Sequence, residues 1–155
     1  MTDPTNATDR SHDARNEASH RRLADLASRL GADELALEVD NTWTVGALLG
    51  HLAFWDGLVA ARWRHAEASG NATPIGLDDE LPDLINSSAI PAWRLIDPRR
   101  LGALVVSAAT DVDALIASLP AASIEGAIAE GRPRLLDRSL HREEHIATVE
   151  ARLRA

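Results

Sequence analysis

Six histidines are the residues to sort, because the 155-residue chain leaves itself few other chemical options. It has no cysteine and no tyrosine, and all 16 basic residues are arginine. Disulfides, thiolate zinc ribbons, iron–sulfur clusters and thiol nucleophiles are excluded, and so are a Walker A phosphate loop, a pyridoxal Schiff base and a lysine general base. The chemistry narrows to His, Asp, Glu, Ser, Thr and Arg.

His141 and His145 stand four residues apart. On a helix this spacing projects both imidazoles from one face, a turn apart, so both can reach a single metal ion. The same pair is equally at home on a solvated or salt-bridged face. His51 lies on the side of its helix shared with Leu48, Trp55 and Leu58 and so points into the interior, where a hydrogen-bonded core histidine is the plain alternative. Taken together, His51, His141 and His145 offer three nitrogens for an open site. Zinc and other late first-row metals favour such ligands and leave a position for water or substrate. His12 and His20, in the polar N-terminal region, and His65, among Arg62, Arg64 and Glu67, read as solvated. Glu144, or Glu143 beside it, can orient a histidine or act as a base, though a solvated face explains either. Trp43 and Trp55 can line a cleft or simply pack in the core.

Two competing motifs fail. His141-Arg142-Glu143-Glu144-His145 matches the HxxEH of inverted zinc peptidases, but those need a further carboxylate ligand well downstream, and the sequence stops at Ala155. Asp137 and Ser139 with a histidine suggest a hydrolase triad, yet no G-x-S-x-G surrounds the serine, which reads as surface or cap chemistry.

The elements that must position these residues read as helices. A polar, flexible N-terminus is expected over residues 1–12, followed by one helical domain over 13–155. Apolar spacing predicts helices from about Asp13 to Leu30, ended by Gly31, and from Val45 to about Ser69, capped by Thr44. A short helix is expected from Leu84 to Leu95, broken or restarted at Pro91. Asp97 and Pro98 start a further long helix that Pro120 stops. Ala121–Glu130 is ambiguous, and Pro133 suits the first turn of a last helix reaching Arg154. Four long helices without a convincing strand predict an all-α, antiparallel four-helix bundle.

Trp43–Trp63 (WTVGALLGHLAFWDGLVAARW) and Leu135–Leu153 (LLDRSLHREEHIATVEARL) resemble the DinB/YfiT superfamily. The stretch INSSAIPAWRLIDPRRLGAL between them is similar in order and spacing. The resemblance implies a four-helix bundle, often a homodimer, whose three histidines hold a divalent metal near one end. Position by position these match His51, His141 and His145, with zinc or nickel as the metal. It further implies a metal-dependent enzyme acting on a small-molecule substrate. Transferases that use a low-molecular-weight thiol such as mycothiol, and a mycothiol-dependent maleylpyruvate isomerase, belong to that family. Arg142 and Glu143 stand where its members commonly carry an aromatic residue.

A formal charge of −8 and scarce aromatics speak against nucleic-acid binding. No apolar run approaches the ~20 residues that span a bilayer. The polar start has no signal-peptide core, so a cytoplasmic location is expected. Two readings from different classes follow. One is a metal-dependent transferase or hydrolase; the other is a metal-free bundle that binds a small molecule or a protein.

Overall fold

Residues 7–155 are described by a computed structural model of the chain. They form α1 (Ser11–Ser28), α2 (Ala32–Ala36), α3 (Val45–Ala68), α4 (Leu81–Trp93), α5 (Pro98–Ala117), α6 (Ala121–Ala129), a 3-10 turn at Pro133–Leu135, and α7 (Ser139–Arg154). The fold is all-α, as expected; among the described residues there is no strand, and only Glu38 and Thr44 form an isolated bridge. The four longest helices touch in a closed ring, α1 on α5, α5 on α3, α3 on α7 and α7 on α1, and α4 lies against α3. No single helix among the described residues is long and apolar enough to cross a membrane.

Local chemistry sets most boundaries. Asp40 accepts from the backbone N–H groups of Thr42 and Trp43 at 2.7 and 2.8 Å, which makes the turn before α3. Thr44 then caps α3 by accepting from the Ala47 N–H at 3.0 Å. Asp97 caps α5 through the Arg99 N–H, with Pro98 in the first turn. Two large apolar clusters fill most of the interior, and a third, small one of Ala47, Ile90 and Trp93 joins α4 to α3. One large cluster, around Leu23, Leu49, Leu52, Leu101 and Ile146, surrounds the first half of α3; the other gathers Val59, Trp63, Ile116, Ile124 and Leu135 around its second half.

Several expectations need correction. Gly31 ends no more than a pause: it caps α2, which sequence periodicity over five residues is too short to reveal. Pro91 does not break α4 but sits inside it. The residues read as a flexible N-terminus fall into two groups. Residues 1–6 lie outside the described ones, whereas residues 7–12 are tied down. Thr8 donates to Glu125, Arg10 donates to the carbonyls of Ala117 and Leu119, and α1 already begins at Ser11. Pro133 opens the 3-10 turn rather than the last helix. α7 begins only at Ser139, where Asn16 of α1 and the local Asp137 both accept from its N–H. The Asn16 amide donates to the Leu136 carbonyl at 2.8 Å and accepts from the Arg138 N–H at 2.7 Å.

A buried ionic network joins the ring. Asp56 of α3, completely buried, accepts from Nε of Arg138, just before α7, at 2.8 Å and from Nε of Arg142, within α7, at 3.0 Å. Arg142 then binds Asp113 of α5 with both Nη atoms, at 2.9 and 2.8 Å, and reaches the Asn16 carbonyl and Ser19 hydroxyl of α1. Burial works against the charge of Arg142, but its bonds to Asp113 and Asp56 outweigh this and raise its pKa. Removing one member strands the others in a site that water cannot repair. Asp56→Ala is expected to cost about 3–5 kcal/mol in chemical denaturation. Arg64→Ala, which breaks an exposed pair with Asp111, is expected to leave the transition close to that of the wild type.

Candidate metal centre

α3 and α7 bring three histidines to one point. His51 lies two turns into α3, and His141 and His145 occupy the first two turns of α7. His51 and His141 are buried and His145 is half-buried. Each pair of rings has its centroids 4.8 Å apart, so the three make an equilateral triangle. One nitrogen from each lies within 4.8 Å of the others, and the Nε2 atoms of His51 and His141 are 2.8 Å apart. Bonds of ~2.0–2.1 Å to one tetrahedral centre would place ligand nitrogens roughly 3.3 Å apart, within reach of small ring rotations.

Aromatic packing holds this triangle. Trp43 and Trp93 present edges to His51 at 5.3 Å each and stack on one another at 5.8 Å. Gly50 permits the approach of α4, since a Cβ there would meet Trp93 Cβ at 3.1 Å. Trp55 Nε1 donates to Asn86 Oδ1 at 2.9 Å, tying α3 to α4 beside the rings.

The rings are held neutral, the state in which imidazole binds a metal. Burial pushes His51 down to about 3, with the adjacent His145 and Arg138 acting the same way. Burial, then Arg138 and the two other histidines, push His141 down to about 2. His145 is lowered by burial, against the pull of Glu144.

Arg138 Nη2 lies 3.3 Å from His141 Nδ1, and a guanidinium can only donate, so the contact favours a lone pair on that nitrogen. His51 Nδ1 is buried without a hydrogen-bond partner, and the Nε2 atoms of His51 and His141 face one another. Three neutral imidazoles suit zinc, nickel or copper by donor type. The residues fit a divalent ion of this class, with Arg138 as the opposing influence.

The triangle opens onto a cavity of about 920 Å³ whose wall includes Trp55, Val59, Arg62 and Glu144. Glu144 is exposed, its carboxylate 3.6 Å from the Arg134 guanidinium. Trp55 belongs to the cavity wall, whereas Trp43 packs on Trp93 and His51 and is not part of it.

The sequence matches the family model described as the DinB superfamily over residues 15–151. The chain belongs to the DinB superfamily. No curated protein and no solved structure matches it. For this DinB superfamily chain the family match and the histidine triangle are compatible with a metal site.

Other histidines depart from their sequence reading. His12 is buried, and His20 is largely covered, with Nδ1 3.5 Å from Asp113; only His65 is exposed as expected. Sequence reasoning missed Asp56, Arg138 and Arg142, the ionic frame around the triangle. A signal existed. Asp56 shares spacing with Leu52, Val59, Ala60 and Trp63, all buried, and Arg138 and Arg142 continue the line of Leu135 towards Ile146. A charge on an apolar stripe implies a buried partner.

The depressed histidines set a pH dependence. In the unfolded chain they take up protons below their ordinary value near ~6.5, while in the folded protein His51 resists to about 3 and His141 to about 2. Their contribution is complete above pH ~6.5 and is lost progressively as pH falls towards those lower values. The chelator-treated protein should therefore melt at lower temperature at pH 5 than at pH 7. The double variant His51→Gln, His141→Gln should show a shallower slope by calorimetry over the same range.

Proposed function

We propose that this DinB superfamily protein is a divalent-metal-dependent enzyme acting on a small molecule. His51, His141 and His145 are its ligands, zinc or nickel its metal, and the reaction is a thiol-dependent transfer or a hydrolysis. The observation that carries this reading is the triangle of neutral imidazoles at 4.8 Å opening onto a large cavity. A divalent ion held there would supply Lewis acidity that eases deprotonation of a water or a thiol near neutral pH. The chain's own residues supply the rest. Trp55 and Val59 give the substrate an apolar wall, and the shielded position of His51 and His141 limits the access of bulk water. Glu144, on the cavity rim, is suited to take up a proton from the nucleophile. A low-molecular-weight thiol such as mycothiol is the co-substrate in the transferase version. A cytoplasmic homodimer completes the reading; sedimentation at micromolar concentration should give twice the 16.7 kDa chain mass.

One observation favours the rival, a metal-free binding module. The Arg138 guanidinium lies 3.3 Å from His141 Nδ1, and its charge opposes a cation at the triangle. Metal analysis of untagged protein separates the two. The enzyme reading expects about one zinc or nickel ion per chain. His145→Ala should lower affinity by more than the roughly 10–100-fold typical of losing a residue that only orients a ligand. Its melting temperature should change little, because the two apolar clusters hold the fold without the metal. Unchanged metal content in the variant would remove the histidines from the ligand set. Turnover of an electrophile panel with and without added thiol then decides between transfer and hydrolysis.

A further inference from the structure

The cavity beside the histidines has a second pole. His51, Trp55, Val59 and Arg62 all line it, and their spacing along α3 keeps them on one face of the helix. From His51 to Arg62 the helix axis advances about 16 Å at ~1.5 Å per residue. The cavity is therefore a trough along α3, with imidazoles at one end and a guanidinium at the other.

The cavity wall is rich in positive charge although the whole chain carries −8. Arg62, Arg132, Arg134 and Arg138 line the cavity, against the carboxylates of Asp83 and Glu144. Three of the four arginines have a carboxylate already: Arg132 has Glu130 at 2.8 Å, Arg134 has Glu144 at 3.6 Å and Arg138 has Asp56 at 2.8 Å. Arg62 has none among the described residues. Its one hydrogen bond is from Nη2 to the Ile75 carbonyl at 2.8 Å, which steadies the side chain and leaves its other donors free. Burial, together with the charges of Arg132 and Arg138, lowers its pKa from the ordinary arginine value, so a bound anion would relieve an existing repulsion.

We propose that the trough binds an elongated organic carboxylate, its carboxylate on Arg62, its apolar body along Val59 and Trp55, and its far end at the histidines. A guanidinium with free donors matches a planar carboxylate in two-point fashion. A single uncommitted arginine suits one negative charge on an apolar body better than a dianionic phosphate. This assignment rests on the enzyme reading only for what happens at the histidine end; carboxylate capture at Arg62 stands apart from the metal.

The test uses 4-phenylbutyrate, its neutral analogue 4-phenylbutyramide and inorganic phosphate, titrated into zinc-treated and chelator-treated protein by calorimetry and by tryptophan fluorescence. The expected result is that 4-phenylbutyrate binds both forms of the protein. The amide and phosphate should bind at least about tenfold more weakly, and Arg62→Gln should lose a similar factor for the acid alone. Equal binding of acid and amide to the wild type would overturn the proposal without any variant. So would undiminished binding of the acid to a folded Arg62→Gln protein, or preference for phosphate. Binding of the acid only when zinc is present would place the carboxylate on the metal and also overturn it. If zinc fails to bind while Arg62-dependent capture persists, the metal reading falls and the carboxylate site remains.

Discussion

A single carboxylate organises the middle of this molecule. Asp56 has no access to water and spends both oxygens on arginines at the start of α7, Arg138 just before it and Arg142 within it, and Arg142 continues the network to Asp113 of α5 and to the backbone of α1. Apolar contacts are non-directional and specify the register of two helices less sharply than paired charges do. In buried guanidinium–carboxylate bonds, a shifted partner leaves a bare charge in the interior. The network therefore fixes how far α7 lies along α3. That register is what places His141 and His145 opposite His51.

One of these arginines couples frame and site. Arg138 faces Asp56 with Nε and His141 with Nη2, so the imidazole is held neutral in part by a residue that also ties α3 to the start of α7. The net charge of the chain says nothing about this neighbourhood. An acidic surface coexists with a cavity edged by four arginines, and a small ligand responds to the local field.

The sequence made part of this legible. The spacing of His141 and His145 and the interior side of His51 were readable because helical periodicity converts number into direction. The caps at Thr44 and Asp97 were readable because they are local. What stayed hidden depended on distant partners. The spacing of Asp56 with Leu52 and Val59 marks it as inward but does not name Arg138 and Arg142 as its partners, and Asn16 gives no hint that its amide serves another helix. α2 was too short to show a period. At the late start of α7 stand the bonds of Asn16 and the buried Leu135 and Leu136, neither of which Pro133 could announce.

Asn16 carries a consequence for the site. It caps a helix that begins more than a hundred positions later in the chain. α3 and α5 pack through their own apolar faces. At the start of α7, however, the Arg138 and Ser139 N–H groups are answered by the Asn16 side chain from near the opposite terminus, with Asp137 sharing the second. The histidine triangle needs two members from the first two turns of α7. The site therefore requires α1 docked on α7 as well as α7 on α3, and a change at position 16 reaches a histidine more than a hundred residues away.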